Sequence, residues 1–164
     1  MKNTQGGFSL IELLIVVAII GIISAIAIPN LLASRRAANE GSAMHSLRVI
    51  SSVELVYQSS FTKFGTLQEL AAKGLISPTL GGGAKDGYNF TVTLDSANPE
   101  AFEVTAVPQD YGSSGNRSFY IDETLVMRGA DNFGGPSTKM DPPLDLEPQL
   151  PTRAGRRVEY QPGY

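Results

Sequence analysis

Glu12 is the residue that most invites chemistry. It stands at the edge of residues 13–34, a run of 22 positions that carries no charge and is overwhelmingly apolar. Holding an ionised carboxylate in hydrocarbon costs on the order of 2.5–3.5 kcal/mol on insertion scales, so such a group needs a positive partner or a place at the polar boundary. No basic side chain lies within one helical turn on either side of it. Either a positive charge arrives from elsewhere, or the acid stays among headgroups and does nothing.

Other chemistry is sparse. With no cysteine and a single histidine, His45, common zinc sites and Cys–His nucleophile pairs are excluded, and a Ser–His–Asp triad has no supporting elbow. A solvated or interfacial role suits His45 better than that of a catalytic base. Gly81-Gly82-Gly83 lacks the spacing and terminal Lys of a phosphate-binding loop and reads as a flexible connector. Asp122 with Glu123, or Asp141, Asp145 and Glu147, could contact calcium, but their spacing fits no dedicated loop, and solvated acids are the simpler reading. Asn89-Phe90-Thr91 and Asn116-Arg117-Ser118 match the N-glycosylation pattern, which also arises by chance. Phe8, Tyr57, Phe61 and Phe64 are explained by packing without invoking a conducting stack. The formal charge of −3 gives no electrostatic case for nucleic-acid binding, no cofactor is implied, and no enzyme activity is expected.

The elements that must position Glu12 are long and simple. At about 1.5 Å per residue the uncharged run makes a helix of roughly 33 Å, enough to cross a bilayer core of about 30 Å. Beyond it Leu47, Ile50, Val53 and Tyr57 recur at helical spacing among polar neighbours, so the helix continues as an amphipathic half to Ser60. Pro29 removes a backbone donor and predicts a kink or unwound segment over 25–29, while Gly21 weakens the helix further upstream. Together they mark a stretch that could melt on leaving lipid; the plainer alternative is a bent helix.

A short helix follows, with capping-box spacing at Thr66 to Glu69 and a left-handed stop at Gly74 before Leu75 and Ile76. Tyr88, Phe90, Val92 and Leu94 alternate with polar residues as a half-buried strand, and Asp95 to Pro99 supply a turn. Ala101 to Val107 form a second strand that Pro108 stops, and 109–116 is a longer loop. Phe119–Ile121 and Leu125–Met127 then flank 122–124 as a tight hairpin. The fold class is α+β: a long N-terminal helix, kinked near Pro29, with a small antiparallel meander of three or four strands as its head. Residues 129–164 hold six of the ten prolines and read as a Pro/Gly-rich arm, either disordered or ordered against the head or a neighbouring subunit, with Leu144, Leu146 and Leu150 as anchors and Arg153, Arg156 and Arg157 able to meet the acidic surface of the next subunit.

Gly6-Gly7-Phe8 followed by Glu12 and the apolar run resembles the N-terminus of the type IV pilin family, which includes the pseudopilins of type II secretion. Ser9 stands where Thr is commoner. The resemblance covers about residues 6–36 and implies that a prepilin peptidase cuts between Gly7 and Phe8, removes leader 1–7 and methylates the new amine of Phe8. Taken with the pattern above, the chain divides into 8–34 as membrane and filament-core half, 35–60 as amphipathic half, 61–128 as head and 129–164 as arm. Such a subunit sits in the inner membrane with its head outside until an inner-membrane assembly platform moves it into a homopolymeric surface filament. The positive amine of one subunit would then meet Glu12 of another, and an ion pair in that low-dielectric core would fix axial register. Gly21 and Pro29 sit where pilins often weaken the helix. Two alternatives stand: a type II secretion pseudopilin, and a signal-anchored binding module. A secretory signal with Ala25-Ile26-Ala27 as its cleavage site is the rival reading of the N-terminus.

Overall fold

The computed structural model describes residues 8–94 and 101–144. The leader with Gly7, the turn expected at 95–99 and residues 145–164, with Asp145, Leu146, Glu147, Leu150, Arg153, Arg156 and Arg157, lie outside the described residues.

Helix α1 spans Leu10–Phe61, 52 residues or about 78 Å. It ends where Thr62 turns left-handed at φ 56° and donates its N–H to the Gln58 carbonyl. It is unbroken through Gly21 and Pro29, so the unwound segment considered for 25–29 is absent in this state. Proline removes one N–H from the ladder there, and the flanking leucines, isoleucines and alanines hold the rest of the helix in place. Helix α2, Leu67–Ala72, has the expected capping box between Thr66 and Glu69. Its end is the expected left-handed stop: Gly74 has φ 70°, Leu75 N–H reaches the Leu70 carbonyl at 3.0 Å and Gly74 N–H reaches Ala71 at 2.9 Å.

Gly81-Gly82-Gly83 is not a free connector. Ser77 caps a short helix α3, Pro78–Gly81, with Pro in its first turn and its own Leu80 and Gly81 buried. Strand β1, Ala84–Lys85, then pairs with β2, Tyr88–Leu94. The intervening Asp86 and Gly87 have φ 47° and 77°, the double positive φ of a type I′ hairpin turn. Strand β3, Phe102–Pro108, carries Pro108 as its last residue rather than stopping before it. The sheet is completed by β4, Ser118–Asp122, and β5, Arg128–Ala130, giving five antiparallel strands in the order β1-β2-β3-β4-β5. That is one more than the three or four expected, because a two-residue strand is too short to leave a periodic signal.

The expected tight hairpin at 122–124 is looser. Its return strand begins at Arg128, after a turn in which Asp122 accepts from the Thr124 amide and hydroxyl and Leu125 adopts φ 60°. One sheet face packs on the upper half of α1, where Leu47 and Ile50 meet Phe102, Val104, Phe119 and Ile121 in one core. Phe64 joins it through Phe102, ring centroids 4.7 Å apart. Residues 129–144, the described part of the expected arm, are ordered against the head, which is one of the alternatives open for them. Ser137 is buried and donates to the Ser118 carbonyl at 2.7 Å, Gly129 N–H bonds Pro142 and Leu144 N–H bonds Met127. Proline excludes a central strand but not a strap whose remaining amides find partners.

Candidate functional site

The site is the N-terminal half of α1 together with its junction to the head. Ser9 is the N-cap: its hydroxyl accepts from Ile11 N–H, and the Glu12 carboxylate reaches back to accept from Ser9 N–H at 2.9 Å. This reciprocal capping box satisfies helix donors that have no partner within the helix. The S-x-x-E spacing was present in the sequence as its signal. Glu12 is therefore both a local cap and the lone acid of the rod. One oxygen serves Ser9, and a carboxylate has further acceptor capacity for an incoming cation. The box turns it toward the Phe8 end of its own chain, and Phe8 is 88 % exposed.

From Leu10 to Leu32 the large apolar side chains are all about half or more exposed, Leu10 at 81 % and Leu32 at 49 %. This is the one helix among the described residues long and apolar enough to cross a membrane. Gly21 has open space around it, so no contact among the described residues demands a glycine there.

Where the rod meets the head, a polar seam replaces the apolar one. Arg36 donates to the Gly112 carbonyl at 2.9 Å, and Asn39 donates to that of Ser114 at 2.8 Å. Glu40 accepts from the backbone N–H groups of Asn116 and Arg117 and from the Arg117 guanidinium at 2.9 Å. Helical spacing of 36, 39 and 40 puts these three on one face. Gly115 lets this loop approach: a Cβ there would collide with the Tyr88 hydroxyl, which itself donates to the Arg117 carbonyl. Burial raises the Tyr88 pKa, and the neighbouring Glu40 charge adds to it.

Glu54 was not singled out in the sequence, although it falls on the apolar stripe four residues after Ile50. It is fully buried, Oε2 accepts from Gly65 N–H at 2.9 Å, and Oε1 has no hydrogen-bond partner among the described residues. Burial pushes its pKa up to about 7; the Gly65 bond opposes that and the charge of Glu69 reinforces it.

His45 is exposed on α1. Asp122 shares the Tyr120 hydroxyl with Glu103, its cross-strand partner, and Glu123 is exposed. Asp141 accepts from Thr138 N–H and the Asn132 amide. Among the described residues no cluster of three or more metal-ligating side chains forms. Asn89 is exposed and Asn116 half-buried. Tyr57 and Phe61 stack at 4.5 Å, but Phe61 is 42 % exposed and lies beneath the Lys73 ammonium rather than in the core.

A family model described as the prokaryotic N-terminal methylation motif matches residues 2–28. The type IV major fimbrial protein FimA of Dichelobacter nodosus is 36 % identical over 115 residues, 64 % of this chain and 74 % of that protein. The chain belongs to the type IV pilin family. The type IV wide pilus major component PilA4 of Thermus thermophilus is 62 % identical over 40 residues, and this pilin spans only 30 % of that protein's length. The type II secretion system core protein G of Klebsiella michiganensis is 26 % identical over 91 residues, 53 % of this pilin and 64 % of that protein. No solved structure gives a significant match. These relatives are named as structural or secretion components rather than as enzymes. A pilin-type structural subunit, with a long helix under a small antiparallel sheet, is the identity that sequence and fold share.

Proposed function

We propose that the chain is cut between Gly7 and Phe8 by a prepilin peptidase, methylated at Phe8, held in the inner membrane by residues 13–34 with the head outside, and then assembled by a membrane platform into a homopolymeric surface filament. The observation that carries this reading is the rod itself: sixteen large apolar side chains from Phe8 to Leu32 that no surface among the described residues covers. Water disfavours such an exposed face, so it needs lipid or copies of itself. In the filament the amine of one subunit's Phe8 pairs with Glu12 of a neighbour and sets register, while Gly21 and Pro29 are the points at which α1 loosens as it leaves lipid. In the domain assignment 8–34 forms the filament core, 35–60 supports the head, and the head runs on to 144.

The likeness to a type II secretion core protein supports a second reading, a pseudopilin whose short filament serves export. Mass spectrometry of the mature protein tests the main proposal: a methylated Phe8 terminus is expected. A terminus at Ile28 would instead identify a secreted protein and overturn it. Long surface fibres containing the chain separate pilin from pseudopilin.

A further inference from the structure

The bonds that tie the head to α1 run in order along the helix. Arg36 holds Gly112, Asn39 holds Ser114, Glu40 holds Asn116 and Arg117, Ser42 holds Asp86, and Ser46 accepts from Lys85. Among the described residues the loop around Gly112 is thus the edge of the head nearest the rod. Arg36 lies two residues beyond Ser34, about 3 Å of helical rise. A headgroup layer extends several ångströms beyond the hydrocarbon core, so with 13–34 in the membrane the seam holds Gly112 at headgroup depth.

Two aromatic rings stand at that edge. Tyr111 is 44 % exposed and Phe133 81 % exposed, with centroids 5.9 Å apart. One carboxylate arranges both: Asp131 accepts from the Tyr111 hydroxyl at 3.0 Å and from Phe133 N–H at 3.2 Å. Phe133 is held at φ 52°, a left-handed conformation uncommon for an aromatic residue. A ring so exposed adds little to the head's own core, yet the backbone is bent to display it.

We propose that Tyr111 and Phe133 form an interfacial anchor that seats the base of the head in the headgroup layer of a phospholipid membrane while the subunit is unassembled. Tyr111, a ring with a polar tip, suits that layer, and the apolar Phe133 ring beside it gains by leaving water for the acyl-chain boundary. Arg35 and Arg36, at the same level, offer positive charge to lipid phosphates. Asp110 and Asp131 flank the rings, so net charge is not the driving force and the contact forms on zwitterionic lipid. With the rod as one point of attachment and the ring pair as a second, the tilt of the head over the membrane is fixed. The proposal rests on the reading that 13–34 spans a bilayer.

The chain has no tryptophan, so a single introduced Trp reports its own depth. Full-length Phe133→Trp protein in phosphatidylcholine vesicles is expected to show blue-shifted emission that is quenched more by lipids brominated high on the acyl chain than by lipids brominated near its end. Tyr111→Trp should behave alike and covers the case in which one variant misfolds. Ile22→Trp, in the middle of the rod, should show the opposite depth preference. Deep quenching of Ile22→Trp together with water-like, unquenched emission from both head variants would overturn the anchor and leave the span standing. Absence of bromolipid quenching at Ile22→Trp would remove the span and the anchor with it. A blue shift in the head variants that follows protein-to-lipid ratio and ignores bromine would assign the rings to a second copy of the chain and likewise overturn the proposal.

Discussion

The two halves of α1 have the same backbone geometry and opposite fates. In the upper half Leu47 and Ile50 are fully buried, because the sheet of the same chain folds over them. In the lower half Ile15, Ile19 and Ile22 are as apolar, yet each is exposed over half its surface. Full burial of a side chain of this size contributes about 1.5–3 kcal/mol. The upper half realises that within the monomer. The lower half holds it in reserve for lipid or for other subunits. The change occurs within one turn, at Arg36, Asn39 and Glu40, where polar side chains take over from the uncharged run. One region is stable by its own contacts, the other only in company, and that division is what a subunit that must change solvent requires.

Perturbations in the rod should therefore change assembly and spare the head, and perturbations in the head should do the reverse. If Glu12 pairs with a neighbour's Phe8 amine as proposed, Glu12→Ala is expected to lower filament yield, measured by sedimentation, at least about tenfold, since an amine left unpaired in a low-dielectric core costs about 3–5 kcal/mol. The thermal transition of the head should not move. If that transition shifts as well, the two regions are coupled and the contrast fails.

Next in size is Glu54, where the sign follows from a raised pKa. The folded chain holds this proton up to about pH 7 against an ordinary value of 4.5, so stability is greatest below the lower value and declines as pH rises through the interval. Glu54→Gln should remove that decline, leaving the variant more stable than the parent above pH 7 by up to about 3 kcal/mol in urea titrations and similar to it at pH 4. A parent whose stability rises over this interval would contradict the buried placement.

Glu40→Ala strips the seam of an acceptor for two backbone amides and a guanidinium, and a loss of about 2 kcal/mol in head unfolding is expected. Because the seam joins both regions, this change should also loosen the head on the rod, seen as faster amide exchange over 112–117. Smallest is Thr66→Ala, which removes the cap of α2 for about 1 kcal/mol and should leave filament yield untouched.

Periodicity made much of this architecture legible. The long helix, the α2 cap and its glycine stop, and the alternation in β2 and β3 all arise from near neighbours in the chain, and their signals are local. Short elements escaped: β1 has two residues, and the Asp86-Gly87 turn that creates it was a readable hairpin signal left unused. The Ser9–Glu12 box was likewise local and readable. For residues 129–144 the sequence left disorder and ordering against the head both open, because proline content reports which hydrogen bonds a segment cannot make within itself, while Ser137 and Leu144 are held by residues 118 and 127, far back in the chain.

By itself the sequence determined the rod, because an uncharged run with one acid at its edge has few physical interpretations and needs no fold to be recognised. The tertiary structure alone decided that Glu54 is sealed under Gly65, that Glu40 clamps the 116–117 backbone and that Tyr111 meets Phe133. Each of these joins residues separated by 11 to 77 positions or fixed by a distant turn, and no local pattern encodes a contact whose partner is chosen by how the whole chain closes on itself.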